Sequence, residues 1–362
     1  LRTNMRAVGK RLPCSVDFEA GVNKEGVIQF INFVLYSDNG YIYNENLSDL
    51  GKDAYYNCYD QAPWNYTCFN TLTDTASNTW CRAPGTLENI ISAEMVMEQI
   101  AYELGLDQLQ VRLANLDRAK HNAIQEMTDT IMVKSNYIER RKHVDKFNEE
   151  NRWKKRGLRF TLMKWSPYGT YYYEVNLSVF HQDASVIISH GGVEMGQGIN
   201  TKAIQICAYY FGIPVDMIQV KRNDTVTTPN GFTSAGSLTS QNIGIGVQKC
   251  CEELLRRLAP IRANLGNPTW VELIRAAFDA DLSLQTHALF NASDEENTDV
   301  YGVALAEVEI DVLTGEHEII RVDLIEDTGR SLNPVIDVGQ VRVCLVFKLS
   351  KCILFCEDNN NY

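Results

Sequence analysis

A glycine-rich loop between a predicted strand and a predicted helix constrains this chain more than any other segment. The apolar run 185–188 predicts a strand, and the run 203–211 predicts a helix. The loop between them has the sequence His-Gly-Gly-Val-Glu-Met-Gly-Gln-Gly from His190 to Gly198. Glycine lets the backbone approach a ligand closely, and the amides that begin a helix carry partial positive charge. Such a loop can hold a phosphate or another anion without a basic side chain.

The spacing of these glycines leaves two interpretations open. An ordinary glycine-rich turn is the alternative to an anion site, because short glycine motifs are common. The pattern is neither the dinucleotide-binding fingerprint nor the P-loop, which requires Lys and then Ser or Thr directly after its last glycine. Gln197 adds a neutral side-chain amide that can donate and accept hydrogen bonds. The choice between the two interpretations therefore depends on the rest of the chain.

Length, composition and charge place the chain among globular proteins. With 362 residues, 45% of them hydrophobic and 22% charged, it can form two domains or one large lobe around a sizeable core. Its formal net charge of −12 opposes a nucleic-acid binder, which usually carries a basic face. We therefore expect no nucleic-acid partner.

The apolar runs and the cysteines indicate in which cellular compartment the protein is expected. The longest apolar run near the end, 343–356, is short and contains Lys348 and Lys351, so we expect no membrane span. Ten cysteines occur without a Cys-x-x-Cys pair, which favours free thiols in a reducing compartment. No secretion signal is recognised, and we expect a cytoplasmic protein.

Predicted strands and helices are mixed along the chain rather than strictly alternating, which favours an α+β fold over a doubly wound sheet. Residues 25–43 predict a strand, and residues 303–325 predict a hairpin that turns at Leu313-Thr314-Gly315. Apolar residues at helical spacing predict helices at 95–104, 109–116 and 249–258.

A polar segment divides the chain into two predicted subdomains. Residues 121–156 are rich in Lys, Arg, Asn and Glu, which predicts a solvated helical connector. Its basic clusters also allow a nucleic-acid surface, but flanking acidic residues and the negative net charge oppose that. We expect the first subdomain at 1–120, the second at 157–340 and a tail of different character at 341–362.

Four further segments carry residue types suited to a ligand site. Residues 233–240 alternate small and hydroxyl side chains before a predicted helix, where a capping loop is the alternative. The run 82–88, Arg-Ala-Pro-Gly-Thr-Leu-Glu, places a guanidinium in a turn, where it could face an anion or lie on the surface. Phe160-Thr161 is the third segment, in which the ring could equally be a core residue. The fourth, 333–340, has the pattern Asn-Pro-x-x-x-x-Gly-Gln.

Together with the glycine loop, these segments resemble the molybdopterin-binding region of the xanthine dehydrogenase and aldehyde oxidase family, from about Met5 to Gln340. The resemblance implies a molybdenum–molybdopterin cofactor and hydroxylation of aldehydes or N-heterocycles with oxygen taken from water. In the segment 233–240, Gly236 and Thr239 stand where the family pattern has Ala and Ser. The cofactor-contacting residues that the resemblance implies are Met195, Gly196, Gln197, Gly198, Gly236, Ser237, Thr239, Arg82 and Gln340.

The same resemblance implies a substrate pocket lined by Pro84, Phe160 and Thr161. Pro84 stands where xanthine dehydrogenases have an aromatic residue that stacks on purine, and the surrounding run resembles the aldehyde oxidase version. We therefore expect an aldehyde substrate rather than a purine. The family also implies a homodimer.

Several family features have no counterpart in this sequence. The family's FAD domain and its two 2Fe–2S clusters are not matched, and no residue is implied as a direct metal ligand. The Gly-Glu-Pro motif that carries the family's catalytic Glu does not follow Gln340. We expect that the isolated chain turns over no substrate. The alternative interpretations are a truncated, inactive family member that serves as a binding or structural module, and a plain nucleotide-phosphate module.

Overall fold

The structure, a computed structural model, describes residues 11–43, 51–79, 83–167, 172–290 and 299–348. Helices and mixed sheets occur throughout, which confirms the α+β class. None of the helices in these ranges is both long and apolar enough to cross a bilayer. The described residues form two compact units, the first from those within Leu1–Ser166, Asp299–Gly329 and Cys344–Tyr362, and the second from those within Pro167–Thr298 and Arg330–Val343.

Two three-stranded sheets lie in the first unit. In one, β1 (Cys14–Val22) pairs antiparallel with β2 (Ile28–Asp38), which pairs parallel with β3 (Trp64–Thr71). The other is antiparallel in the order β10-β9-β4. Its strands are β4 (Lys154–Trp165), β9 (Val300–Asp311) and β10 (His317–Asp327). The predicted hairpin is therefore confirmed, and Gly315 supplies its left-handed turn residue at φ 75°.

Helices of the first unit begin and end where local chemistry favours it. The Asp107 side chain accepts hydrogen bonds from the Leu109 and Gln110 amides and so caps α3. Gly105, left-handed at φ 63°, ends α2. The helix predicted at 95–104 is confirmed, but α2 begins earlier, directly after Gly85. The helices are α1 (Lys52–Tyr55), α2 (Thr86–Leu104), α3 (Gln108–Ala114), α4 (Asn122–Lys134) and α5 (Tyr137–Glu150).

Helices α4 and α5, in the expected connector, contribute to the core of the first unit. Ile124 and Ile131 of α4 lie at helical spacing and are buried in it, together with Val144 of α5, although the segment is polar on average. Arg140, in one of its basic clusters, forms ion pairs with Glu307 (3.0 Å) and Asp323 (2.6 Å) of the sheet. These helices therefore pack as elements of a compact unit. The predicted bounds of the subdomains stay a prediction.

The second unit consists of a four-stranded sheet and helices. Its strands follow the order β7-β6-β5-β8, with β6 parallel to β7 and β5 antiparallel to both of its neighbours. Helix α7, with Cys250 and Leu254, packs with α6 in a core that also holds Val175 and Ile188 of the sheet. The elements are β5 (Tyr173–Val179), β6 (Val186–His190), α6 (Ile199–Phe211), β7 (Ile218–Val220), α7 (Thr239–Leu265), α8 (Trp270–Asp279), β8 (Gln285–Phe290) and α9 (Pro334–Lys348), which begins in this unit.

A buried carboxylate connects several elements of the first unit. Glu94, on α2, accepts hydrogen bonds from Arg112 Nε of α3 (2.8 Å) and from Asn57 Nδ2 (3.1 Å). The Tyr59 hydroxyl donates to the same carboxylate. Burial opposes the charged guanidinium of Arg112, but the field of Glu94 outweighs it and raises the pKa of Arg112. This ion pair is stable because each charge has partners that replace its lost water.

Breaking this pair from one side should destabilise the first unit. Arg112→Met leaves Glu94 buried without its cationic partner and should lower the free energy of unfolding by about 3 kcal/mol. The double variant Glu94→Gln/Arg112→Met should lose less, since it leaves no buried charge unpaired. Chemical denaturation measures both, with the exposed Lys142→Met as a control. Equal losses in the single and double variants would contradict this account.

Candidate functional site

The glycine loop connects the buried strand β6 to helix α6. Val186, Ile188 and His190 alternate inward along β6, and α6 begins at Ile199. Gly198, which precedes the helix, is left-handed at φ 71°, and Gly196 has φ 98°. Both conformations favour glycine, so the local structure of the loop follows from its sequence. The predicted strand–loop–helix arrangement is confirmed.

Backbone amides of this loop bond to the loop's own side chains. Gly196 N (2.9 Å) and Gly198 N (3.0 Å) donate to Glu194 Oε1, and Asn200 N donates to Oε2 (3.2 Å). Met195 N donates to Gln197 Oε1 at 2.6 Å. Partial burial opposes ionisation of Glu194, but its backbone donors outweigh this and hold its pKa below the ordinary value.

The side chain of Gln197 folds back onto the loop. Its Nε2 donates to Val193 O at 2.8 Å, while its Oε1 accepts from Met195. The sequence alone indicated amides open to an anion, but four amides between Met195 and Asn200 already have side-chain acceptors. The reason is local, because the Glu194 carboxylate and the Gln197 side-chain amide lie within hydrogen-bond distance of these N–H groups.

The hydroxyl-rich segment 233–240 lies against the glycine loop. Val193 N donates to Ser234 Oγ at 2.7 Å. A Cβ at Gly192 would lie 3.0 Å from Thr239 Cγ2, so the side chain of Thr239 packs closely on this glycine. Gly236 and Ser237 are both left-handed, at φ 67° and 60°. The structure therefore brings Gly192 and Val193 of the glycine loop against Ser234 and Thr239.

The hydroxyl groups of this segment differ in availability. Thr239 is buried, and its Oγ1 lies 3.0 Å from the hydroxyl of Tyr173 on β5. Ser237 is exposed, two residues before the start of α7. Of the two predicted hydroxyl contacts, Ser237 therefore offers the accessible group, while Thr239 also ties the segment to the sheet.

The predicted segment 333–340 packs on the same loop. A Cβ at Gly198 would lie 2.2 Å from Ile336 Cδ1, so α9 contacts the glycine directly. Asn333 Nδ2 donates to Gln205 Oε1 of α6 at 3.0 Å. Gln340 is exposed one helical turn after Ile336, on the same face of α9.

Residues predicted to line a substrate pocket lie in the first unit. Phe160 is fully buried, and its ring packs edge-to-face on Tyr137 with centroids 5.1 Å apart. Thr161 is exposed on the opposite face of β4, because adjacent strand residues point to opposite sides. Pro84 is half-buried before α2. Arg82 lies outside the described residues. The pocket roles stay predictions.

His190 is a site-adjacent residue to which the sequence pattern assigned no role. It is fully buried at the end of β6, and its Nε2 lies 2.9 Å from Asn200 Oδ1. Burial lowers the pKa of His190, although the contact with Asn200 opposes the shift. A neutral imidazole thus connects the two ends of the glycine loop. In the ranges described, no group of three or more His, Cys, Asp and Glu side chains is placed to hold a metal ion.

Family comparison agrees with this geometry. A model of the molybdopterin cofactor-binding domain matches residues 130–346, and a second model of that description matches residues 1–116. The chain belongs to the molybdopterin cofactor-binding domain family. The family predicted from the five segments is therefore confirmed, and its cofactor is molybdopterin.

Similar proteins come from both branches of the predicted family. The chain is 33% identical to xanthine dehydrogenase of Dictyostelium discoideum, covering 95% of this chain and 28% of that protein. It is also 33% identical to aldehyde oxidase 1 of Oryctolagus cuniculus, covering 93% of this chain and 27% of that protein. The chain thus spans little more than a quarter of the length of these relatives.

Solved structures share the fold. Quinoline 2-oxidoreductase from Pseudomonas putida 86 superposes with a TM-score of 0.80 at 18% identity, covering 94% of this chain and 50% of that one. Aldehyde oxidoreductase from Desulfovibrio gigas gives 0.77 at 21% identity, covering 94% and 39%. At these identities the likeness concerns the fold alone.

Gly198→Ala should destabilise the second unit for two separable reasons. A left-handed alanine costs about 1–2 kcal/mol, and its Cβ would collide with Ile336 Cδ1. In an Ile336→Val background, which removes that atom, the cost of Gly198→Ala should fall. Chemical denaturation of the four proteins measures this. Gly339→Ala on α9 meets no atom within 4 Å and serves as a control. An unchanged cost in the valine background would exclude the collision.

Because of His190, the free energy of unfolding should fall as the pH is lowered. Because its folded pKa lies below its unfolded value near 6.5, its protonation favours unfolding, and stability is lost as pH falls below that value. His190→Gln should be less stable than the wild type at about pH 7.5, with a gap that narrows toward about pH 5.5. Thermal unfolding across this range measures the gap. The exposed His287→Gln is the control, and a constant His190 gap would contradict the prediction.

Proposed function

We propose that this chain forms the pterin-binding part of a molybdenum-dependent oxidoreductase that hydroxylates aldehydes with oxygen from water. The observation that carries the proposal is the hydrogen bond from Val193 N to Ser234 Oγ, which joins the two predicted cofactor segments. Sequences 41 residues apart meet there, as a common ligand would require. The common ligand proposed here is the cofactor of the family, molybdopterin.

The residues at this junction fit a large ligand that is either neutral or negatively charged. A Cβ at Gly196 would meet nothing within 4 Å, so a ligand can approach this side of the residue, although its N–H donates to Glu194. Met195 is 64% exposed, and the Ser237 hydroxyl and the Gln340 amide are also exposed. These groups can contact a pterin through hydrogen bonds and apolar packing without a basic side chain. The bound cofactor supplies the redox chemistry, and the protein residues hold and orient it.

An aldehyde substrate is proposed on the basis of Pro84, which replaces the stacking aromatic residue of the purine-oxidising branch. Equal identities of 33% to a xanthine dehydrogenase and an aldehyde oxidase do not favour either substrate class. We also propose that FAD and two 2Fe–2S clusters serve the whole protein, which would be a cytoplasmic homodimer. That Arg82 contacts the cofactor, and that the chain alone turns over no substrate, are proposals of the same kind.

The direct test uses the full-length protein that contains this chain. Elemental analysis should find molybdenum, and fluorescence of the oxidised pterin should find molybdopterin. With a dye as electron acceptor, an aromatic aldehyde should be oxidised faster than xanthine. Faster xanthine oxidation would overturn the substrate class, whereas a protein without molybdenum or pterin would overturn the cofactor assignment. The isolated chain, assayed alongside, should show no turnover.

Charge at Ser237 should control cofactor retention. Ser237→Asp places a carboxylate beside the phosphate-bearing cofactor and should lower molybdopterin content about tenfold or more. Ser237→Asn has nearly the same shape and tolerates the left-handed backbone equally, so it should retain the cofactor. Pterin content per protein, with circular dichroism to verify folding, measures both. Equal contents in the two variants would contradict a cofactor contact at Ser237.

A further inference from the structure

The hydrogen bonds of the glycine loop converge on one carboxylate. Glu194 accepts from Gly196, Gly198 and Asn200, at 2.9, 3.0 and 3.2 Å. All three donors are backbone amides, so the contacts do not depend on the rotamer of a second side chain. Hydrogen bonds to a charged acceptor are stronger than neutral ones. Glu194 thus closes residues 194–200 into a compact ring.

The position of Glu194 relates it to helix α6. Gly198 directly precedes this helix of 13 residues, and Asn200 lies in its first turn. The first turn contains no acidic residue, and Gly198 provides no side-chain cap. The first amides of a helix have no intrahelical acceptor and attract negative charge. A carboxylate of the preceding loop therefore occupies the place that a bound anion would take.

Residues enclosed by this ring are the ones that the proposed function assigns to the cofactor. Met195 and Gln197 lie between Glu194 and the helix, and Met195 is 64% exposed. An exposed methionine has little packing to hold it in place, so its position depends on the backbone on either side. The amides of Gly196 and Gly198 are held by Glu194, which sets that backbone.

We infer that Glu194 is a positioning residue, whose carboxylate occupies the amides at the start of α6 and holds the loop in the shape that presents Met195 and Gly196 to the cofactor. The inference rests on the proposed function for the identity of the cofactor. It also assigns the start of α6 to an internal anion, and not to a phosphate group of the ligand.

Amide hydrogen exchange of the cofactor-free full chain tests whether Glu194 holds the loop in place. Glu194→Ala should speed exchange in residues 193–201 by about tenfold or more, because three charge-assisted bonds are lost. Glu194→Gln keeps an acceptor oxygen and should give a smaller increase. Asp216→Ala removes an exposed acidic residue elsewhere in the same unit and should leave this segment unchanged. Unchanged exchange in Glu194→Ala would overturn the inference.

Inorganic phosphate separates an internal anion from a merely structural residue. In Glu194→Ala the vacated amides should bind phosphate, which should slow exchange in residues 193–201. In the wild type the same phosphate concentration should have no effect there, because the carboxylate already occupies the amides. Equal protection of the wild type by phosphate would overturn the assignment of these amides to Glu194.

Cofactor content of the full-length protein completes the test. Glu194→Ala should lose molybdopterin while Asp216→Ala keeps it, and Glu194→Gln should retain an intermediate amount. Full retention in Glu194→Ala, despite faster exchange, would overturn the positioning role. If the wild type itself carries no pterin, the proposed function fails, whereas the exchange and phosphate results still decide whether Glu194 occupies the helix start.

Discussion

The second unit depends on how the free amides at the start of helix α6 are satisfied. A helix begins with N–H groups that lack intrahelical acceptors, and Glu194 supplies the acceptor from the loop that precedes it. With the loop closed in this way, its outer surface is defined. Ser234 can then bond to Val193, and Ile336 of α9 can pack on Gly198. The glycine loop, the segment 233–240 and helix α9 are distant in sequence, and they meet at the turn that the Glu194 carboxylate holds closed.

Two glutamates show how burial changes what a carboxylate does. Glu94 in the first unit is buried and requires Arg112, Asn57 and Tyr59 together, because an unpaired charge there would lose its water without compensation. Glu194 is exposed, so its contacts with backbone amides are less costly to break. The buried hydrogen-bond network of Glu94 holds elements of the first unit together. An exposed brace such as that of Glu194 suits a loop that contacts a ligand.

Sequence reasoning succeeded where a local rule decides the structure. The hairpin of β9 and β10 follows from alternation and a glycine turn, and the loop before α6 follows from glycines between an apolar run and a helix. Sequence reasoning was incomplete where the polar average composition of a segment hides a stripe of apolar residues. The polar segment 121–156 buries Ile124 and Ile131, because a helix needs only one apolar stripe to join a core.

The sequence by itself determined the family, through the resemblance of five segments to its motifs. It also determined the α+β class and the position of the loops, since glycine freedom, hydroxyl groups and apolar periodicity are properties of short segments. Only the tertiary structure decided which groups remain available to a ligand. It gave the Thr239 hydroxyl a partner in Tyr173, buried Phe160 against Tyr137 and left Ser237 exposed. The physical reason is that burial and hydrogen-bond partnership depend on residues brought together from distant parts of the chain, which no local pattern specifies.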